Sequence, residues 1–252
     1  MKIKEIVCAL ERFAPLPLQE SYDNAGLQVG LTEVEASGAL LCLDVTEEVI
    51  QEAVDLGCNM VVAHHPLLFR GVKRVSDTTQ VERCLRLAVK NDICIYAAHT
   101  NLDNAEDGVN YKMAEKLGLM DVVPLEGGGV LGYLMAEEDS LAFLQRVKDV
   151  FRVESLQYNE LLRRPIQSVA LCGGAGSFAL DAAIEQEADA FLTGEMGYHQ
   201  FFGHEQQIQI GVMGHFQSEQ FTTEIFQQII GECAPQLPVF VTGINTNPIQ
   251  YL

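Results

Sequence analysis

Three stretches of this 252-residue chain carry side chains that bind cations: Val61-Val62-Ala63-His64-His65-Pro66, His99-Thr100-Asn101-Leu102-Asp103 and Gly214-His215-Phe216-Gln217-Ser218-Glu219. His64, His65, Asp103, His215 and Glu219 together offer three imidazoles and two carboxylates. Such N and O donors suit Zn, Mn, Fe, Ni or Co and single out none of them. Carboxylates can bridge, which two cations held close together need to offset their repulsion. Two-metal hydrolytic sites hold the ions roughly 3.5–4 Å apart and activate a water between them. The expectation is two divalent metal ions per chain, with a metal-activated hydroxide as nucleophile. His64-His65 alone reads equally as one buried, hydrogen-bonded histidine beside an exposed one, and a lone His-x-x-x-carboxylate as plain helix surface. The combination, each member at a strand end, favours the metal. His99 has two readings, a ligand by symmetry with His215 or a hydrogen-bond partner of a ligand; the second is preferred. Glu195 is placed with it, for ligand orientation or proton transfer. His199 reads as another proton carrier or as an ordinary loop residue, and His204 belongs to no constellation.

The elements that position these groups follow from the apolar pattern. Val61 to Ala63 is a short apolar run with a β-branched pair, hence a buried strand. Pro66 has no N–H to donate and takes the chain out of the sheet. The histidines thus stand at the carboxyl end of a strand, where open α/β sheets bind ligands. Neighbouring side chains on extended backbone point apart, so the pair suits two ions better than one. Ala39 to Val45 is predicted as a strand. Thr46 caps a helix running to about Leu56, with Glu47 and Glu48 in its first turn. This strand–helix–strand unit implies parallel pairing. Helices are expected over 3–13, 78–89 and 109–117, and a strand over 93–98 delivers His99. Tyr22-Asp23-Asn24-Ala25-Gly26-Leu27-Gln28 is a polar turn leading to a short strand; Asp23 and Asn24 read there as cap or ligand residues or as loop chemistry, and loop chemistry is preferred. Further on, strands are expected near 130–135, 155–158, 169–172, 190–192 and 208–213. Helices are expected after a Ser140 cap, over 178–187 and over 218–230. Gly173-Gly174-Ala175-Gly176-Ser177 lacks the Lys-Ser/Thr of a P-loop and the spacing of a dinucleotide fingerprint, and reads as a tight structural turn.

A displacement of 130 residues lays Leu41-Cys42 on Leu171-Cys172, Val61-Val62 on Phe191-Leu192 and His64-His65 on Gly194-Glu195. A displacement of 116 lays His99-x-x-x-Asp103 on His215-x-x-x-Glu219. Polar residues recur at strand ends in the same order, which suggests two similar α/β halves related by duplication. The linker-like Gly127-Gly128-Gly129 sets the expected division, an N-terminal half at 1–125 and a C-terminal half at 126–252, with the metal site in the cleft between them.

Composition narrows the class. Apolar residues are 48% and charged residues 20%, which suits a globular chain. A net charge of −19 repels phosphate backbones and anionic lipids, so nucleic acid is disfavoured as a partner. No apolar run is long enough to span a membrane, and no signal-type core follows Met1-Lys2-Ile3-Lys4-Glu5. Seven cysteines, an odd number without a CxxC, suit a reducing cytoplasm and argue against a thiolate zinc site.

Tyr-Asp-Asn-Ala-Gly-Leu-Gln at 22–28, His-His-Pro-Leu at 64–67, His-Thr-Asn-Leu-Asp at 99–103, Thr-Gly-Glu at 193–195 and Gly-His-Phe-Gln-Ser-Glu at 214–219 are a specific set covering nearly the whole chain. They resemble the Nif-three-like dinuclear metal-centre proteins, whose members are often named GTP cyclohydrolase 1 type 2 homologs. The resemblance implies two three-layer α/β/α lobes, a toroidal homohexamer and metal ligands at His64, His65, Asp103, His215 and Glu219. Tyr22 stands where that family usually has Trp, which leaves the ligands intact. A metal-dependent hydrolase acting on a nucleotide or phosphoester is the first expectation; for GTP ring opening the attacked atom would be C8 of guanine. A non-catalytic metal-binding scaffold or regulatory adaptor is the alternative, and turnover by the metal-loaded protein separates the two.

Overall fold

A computed structural model of the chain describes residues 1–252. Contacts divide it into two compact units, residues 1–106 with 222–248, and residues 107–221 with 249–252.

The first unit opens with α1 (Ile3–Phe13), whose Ile3, Ile6, Val7 and Leu10 are buried at helical spacing. Next come β1 (Gly26–Val29), β2 (Ala39–Cys42), α2 (Glu47–Asp55), β3 (Met60–Ala63), α3 (Gln80–Lys90), β4 (Cys94–Ala97) and the single-turn α4 (Thr100–Asp103). As expected, Thr46 caps α2, its side chain accepting a hydrogen bond from the Val49 N–H at 3.2 Å, worth about 1 kcal/mol. β2, β3 and β4 pair in parallel and β1 adds antiparallel to β4. Every residue of the three parallel strands is buried, as a sheet covered on both faces requires. Leu40, Val61 and Ile95 pack against Val49, Ile50, Cys84 and Leu85 of α2 and α3. The alternate residues face the layer formed by α1 and a later helix.

The second unit begins with α5 (Val109–Leu117), β5 (Met120–Pro124), β6 (Val130–Glu138), α6 (Ser140–Val150) and β7 (Gln157–Tyr158). Then follow β8 (Ile166–Cys172), α7 (Leu180–Glu185), β9 (Ala190–Thr193), β10 (Gln209–Val212) and α8 (His215–Glu219). The sheet order is β5-β6-β8-β9-β10-β7, with β8, β9 and β10 parallel. One face meets Met113 and Leu117 of α5 and Phe143, Leu144 and Val147 of α6. The other meets Ala179, Leu180 and Ala183. Both units are therefore three-layered α/β/α structures. The chain then returns to the first unit with α9 (Thr222–Cys233) and β11 (Val239–Val241), which pairs in parallel with β2.

These limits differ from a division at residue 125. Gly127, Gly128 and Gly129, with φ of 86°, 123° and 88°, form the turn of an antiparallel hairpin in which Pro124 pairs with Val130, so they are a turn inside one sheet. The helix expected over 218–230 is in fact two, α8 and α9, with the unit boundary between them. Asp139 rather than Ser140 caps α6, accepting from the Leu141 N–H at 2.9 Å. The helix expected over 178–187 starts as a 3-10 turn at Gly176–Ala179.

The two parallel cores share a register. Leu40 pairs with Val61, and Ala170 with Phe191, each displaced by 130. The next strand is displaced by 115, since Val62 faces Tyr96 while Leu192 faces Gly211. The displacement of 116 at the histidines comes from one extra residue, Gly214, which leaves β10 at φ 100°.

Candidate metal centre

In the first unit the strand ends converge because β2, β3 and β4 are parallel neighbours. The His65 N–H still donates to the Leu43 carbonyl (2.9 Å) and the Ala98 N–H to the Ala63 carbonyl (3.0 Å). The ladder thus holds the backbone beyond the strands. His99 then starts α4, and the Asp103 N–H donates to its carbonyl at 3.0 Å, one turn on.

Each imidazole is fixed through Nδ1. His64, fully buried, sets its Nδ1 2.8 Å from the Ala98 carbonyl. A carbonyl only accepts, so Nδ1 carries the proton and Nε2 presents its lone pair. His65 Nδ1 lies 2.8 Å from Asp44 Oδ1, and Thr246 donates to Asp44 Oδ2 at 2.8 Å. His99 Nδ1 lies 2.8 Å from Asp23 Oδ1, while the Thr100 N–H donates to Asp23 Oδ2 at 3.0 Å. Burial pushes the Asp23 carboxyl up, but the bonds from His99 and Thr100 outweigh it and hold the group well below the usual carboxylate range. One ligand atom each from His64, His65 and His99 lies within 4.8 Å of the others. Asp103 joins them, its Oδ1 3.6 Å from His64 Nε2. His99 keeps both of its readings, ligand or hydrogen-bond partner of a ligand: its Nδ1 is held by Asp23 as that of His65 is held by Asp44.

The second unit brings together His215, Glu219 and Glu195. His215 Nδ1 is 2.8 Å from Glu195 Oε1, and its Nε2 is 3.1 Å from Glu219 Oε2. Glu219 is almost fully buried and Glu195 exposed. Gly174 makes the space: at φ +56°, a Cβ there would lie 2.3 Å from Glu219 Oε1. Ser218 Oγ accepts from the Gly174 N–H at 3.0 Å and donates to the His215 carbonyl at 2.7 Å. The glycine loop is thus a structural turn, and one that shapes the carboxylate's seat. His199 stands against Tyr198 and Phe202, with ring centroids 5.2 and 6.3 Å away.

The residues fit a metal. With Nδ1 protonated, His64 Nε2 and Asp103 Oδ1 are two electron-rich atoms facing each other, an arrangement stabilised by a cation or proton between them. The imidazole-to-carboxylate and imidazole-to-carbonyl pairs at His65, His99 and His64 are the outer contacts that metal-binding histidines use. Sequence reading missed Asp44 and the role of Asp23. Asp44 stands two residues beyond the end of β2, inside the stretch read as strand over 39–45, so nothing in the sequence marked it out.

A mixed α/β chain with histidines and carboxylates at its strand ends is the class that fold and site define. The chain belongs to the Duf34/NIF3 (NGG1p interacting factor 3) family, whose model matches residues 1–248. It is 35% identical over 229 residues to a GTP cyclohydrolase 1 type 2 homolog of Clostridium perfringens, covering 87% of each chain. A protein of the same description from Clostridium acetobutylicum is 29% identical, over 100% of this chain and 99% of that one. The fold matches a hypothetical protein of Staphylococcus aureus with a TM-score of 0.92 at 24% identity, covering 100% of this chain and 99% of the other. A Bacillus cereus protein related to NIF3 gives 0.90 at 23%, with the same coverage. No helix is long and apolar enough to cross a membrane.

Proposed function

We propose that the chain is a metal-dependent hydrolase in which His64, His65 and Asp103 of the first unit and His215 and Glu219 of the second hold two divalent cations in one centre. The observation that carries the reading is the histidine cluster, whose ligand atoms lie within 4.8 Å of one another with every Nδ1 already committed to an acceptor. His215 and Glu219 by themselves offer fewer donors than a closed site uses, which supports joining the two sets. Cations bound there would supply Lewis acidity towards an attacked carbon or phosphorus and lower the pKa of water.

The protein's own groups orient and carry protons. Asp44 holds the His65 ring with Nδ1 protonated, and Thr246 holds Asp44. Asp23 does the same for His99. Glu195, exposed and bonded to His215 Nδ1, can take up a proton at its carboxylate and release it to solvent. The relatives' shared description as GTP cyclohydrolase 1 type 2 homologs supports a nucleotide or phosphoester substrate. The seven free thiols suit a reducing cytoplasm, and family membership supports a homohexameric ring. The test is turnover of nucleotides and phosphoesters by metal-loaded protein. Activity should vanish on chelation, return with metal and fall with the metal content of His215→Ala. Absence of turnover across the panel would leave a metal-binding adaptor.

A further inference from the structure

The chain leaves the histidine cluster through a loop unlike the rest of its surface. Residues 67–75 read Leu-Leu-Phe-Arg-Gly-Val-Lys-Arg-Val, three cations in five positions of a chain with net charge −19. Arg70, Lys73 and Arg74 are exposed and enter no ion pair or hydrogen bond; Arg86, Lys90, Lys148 and Arg152 are likewise without an acidic partner, but only residues 70–74 gather three cations within five positions. Together with Leu67, Phe69 and Val72 they line a groove of about 540 Å³. The loop is pinned at both ends. Asn24 Nδ2 donates to the Leu68 carbonyl at 2.7 Å and the Leu68 N–H to Gln28 at 3.1 Å. At the far end the Thr78 N–H donates to Glu82 at 3.3 Å, and Ser76 also donates to that carboxylate, so the acid that borders the groove is engaged by its own donors. Phe69, 42% exposed, leans edge-on against the His99 ring at 5.9 Å and meets Tyr22 at 6.3 Å.

A protein this acidic repels anions at long range. Unpaired guanidinium and ammonium groups beside a reactive centre are what a phosphate requires at short range, where Arg offers a two-pronged fork and Lys a point charge. A flat aromatic face beside them suits a ring. We propose that residues 67–74 are the substrate-holding arm of the site, with Arg70, Lys73 and Arg74 taking the phosphates of a mononucleotide and Phe69 its base. This rests on the reading of the histidine cluster as the reacting centre, and it deepens that reading by naming groups that select the substrate.

The test uses the full chain stripped of metal, with GTP and guanosine as probes in equilibrium dialysis. Arg70→Ala/Lys73→Ala/Arg74→Ala should weaken GTP about tenfold or more, leave guanosine within about twofold and keep the thermal midpoint. Phe69→Ala should weaken both probes. GTP affinity should also fall with added salt. Removing the same charge at Lys148, Arg152 and Arg163 should leave GTP affinity unchanged. The proposal is overturned if GTP binds the loop variant as tightly as the wild type, or if the distant triple variant weakens it equally. Metal uptake, measured separately on the same preparations, keeps the two readings apart: loop-dependent GTP binding by a protein that takes up no metal supports this arm and removes the hydrolase reading.

Discussion

Replacing Gly174 by alanine should damage the proposed metal centre far more than the fold. The new Cβ would stand 2.3 Å from Glu219 Oε1 and 3.3 Å from His215 Nε2. A carbon–oxygen contact settles nearer ~3.3 Å, so the Glu219 carboxylate must retreat by about 1 Å. Glu219 is packed with almost no exposure, and α8 is a single turn anchored by Ser218, so the shift carries into the ligand geometry. Displaced or unsupported ligands lose about 10–100-fold in metal affinity. The left-handed backbone adds roughly 1–2 kcal/mol of strain, partly offset by the lower entropy of the unfolded alanine chain, about 0.4–1 kcal/mol. The net effect on stability is on the order of 1 kcal/mol. Gly118→Ala is the matched control, because Gly118 has φ +66° and nothing within 4 Å of its would-be Cβ. Chelator-competition titration gives metal affinity and thermal melting gives stability. Gly174→Ala should lose affinity while Gly118→Ala keeps it, the two melting alike within a few degrees. Equal metal affinities in the two variants would refute the seat that Gly174 is argued to provide.

Two further outcomes follow from the same geometry. Asp44→Ala should lower metal affinity about tenfold or more with little change in circular dichroism; undiminished affinity would remove Asp44 from the support of His65. In metal-stripped protein, the folded Asp23 carboxyl titrates below its unfolded value of about 3.9, so its stabilisation is fully present above that pH and is lost as pH falls towards the folded value. Asp23→Asn should therefore flatten the acid limb of the stability–pH curve measured by urea unfolding, and matching limbs in the two proteins would contradict the bond to His99.

Much of this was legible in the sequence because it is local. The Val-Val-Ala run before His64 requires a buried strand, Pro66 requires that strand to stop, and Thr46 followed by two glutamates announces α2. The ladder then carries His64, His65 and His99 to neighbouring positions without further information. What sequence reasoning missed is nonlocal. Asp44 and His65 are 21 residues apart and Asp23 and His99 are 76 apart, and neither distance leaves a periodic trace. The three glycines at 127–129 read as a linker because flexibility and positive φ use the same residue; only the pairing of Pro124 with Val130 shows a hairpin. The return of α9 and β11 to the first sheet is likewise invisible, since β11 is three residues long and its partner β2 lies near the other end of the chain.

Anomalous scattering from crystals of the metal-reconstituted protein tests the proposed dinuclear centre most directly. Two anomalous peaks per chain are expected, with His64, His65, Asp103, His215 and Glu219 as ligands. A map with no peak at the histidine cluster, or with metal held by one unit's residues alone, would contradict it.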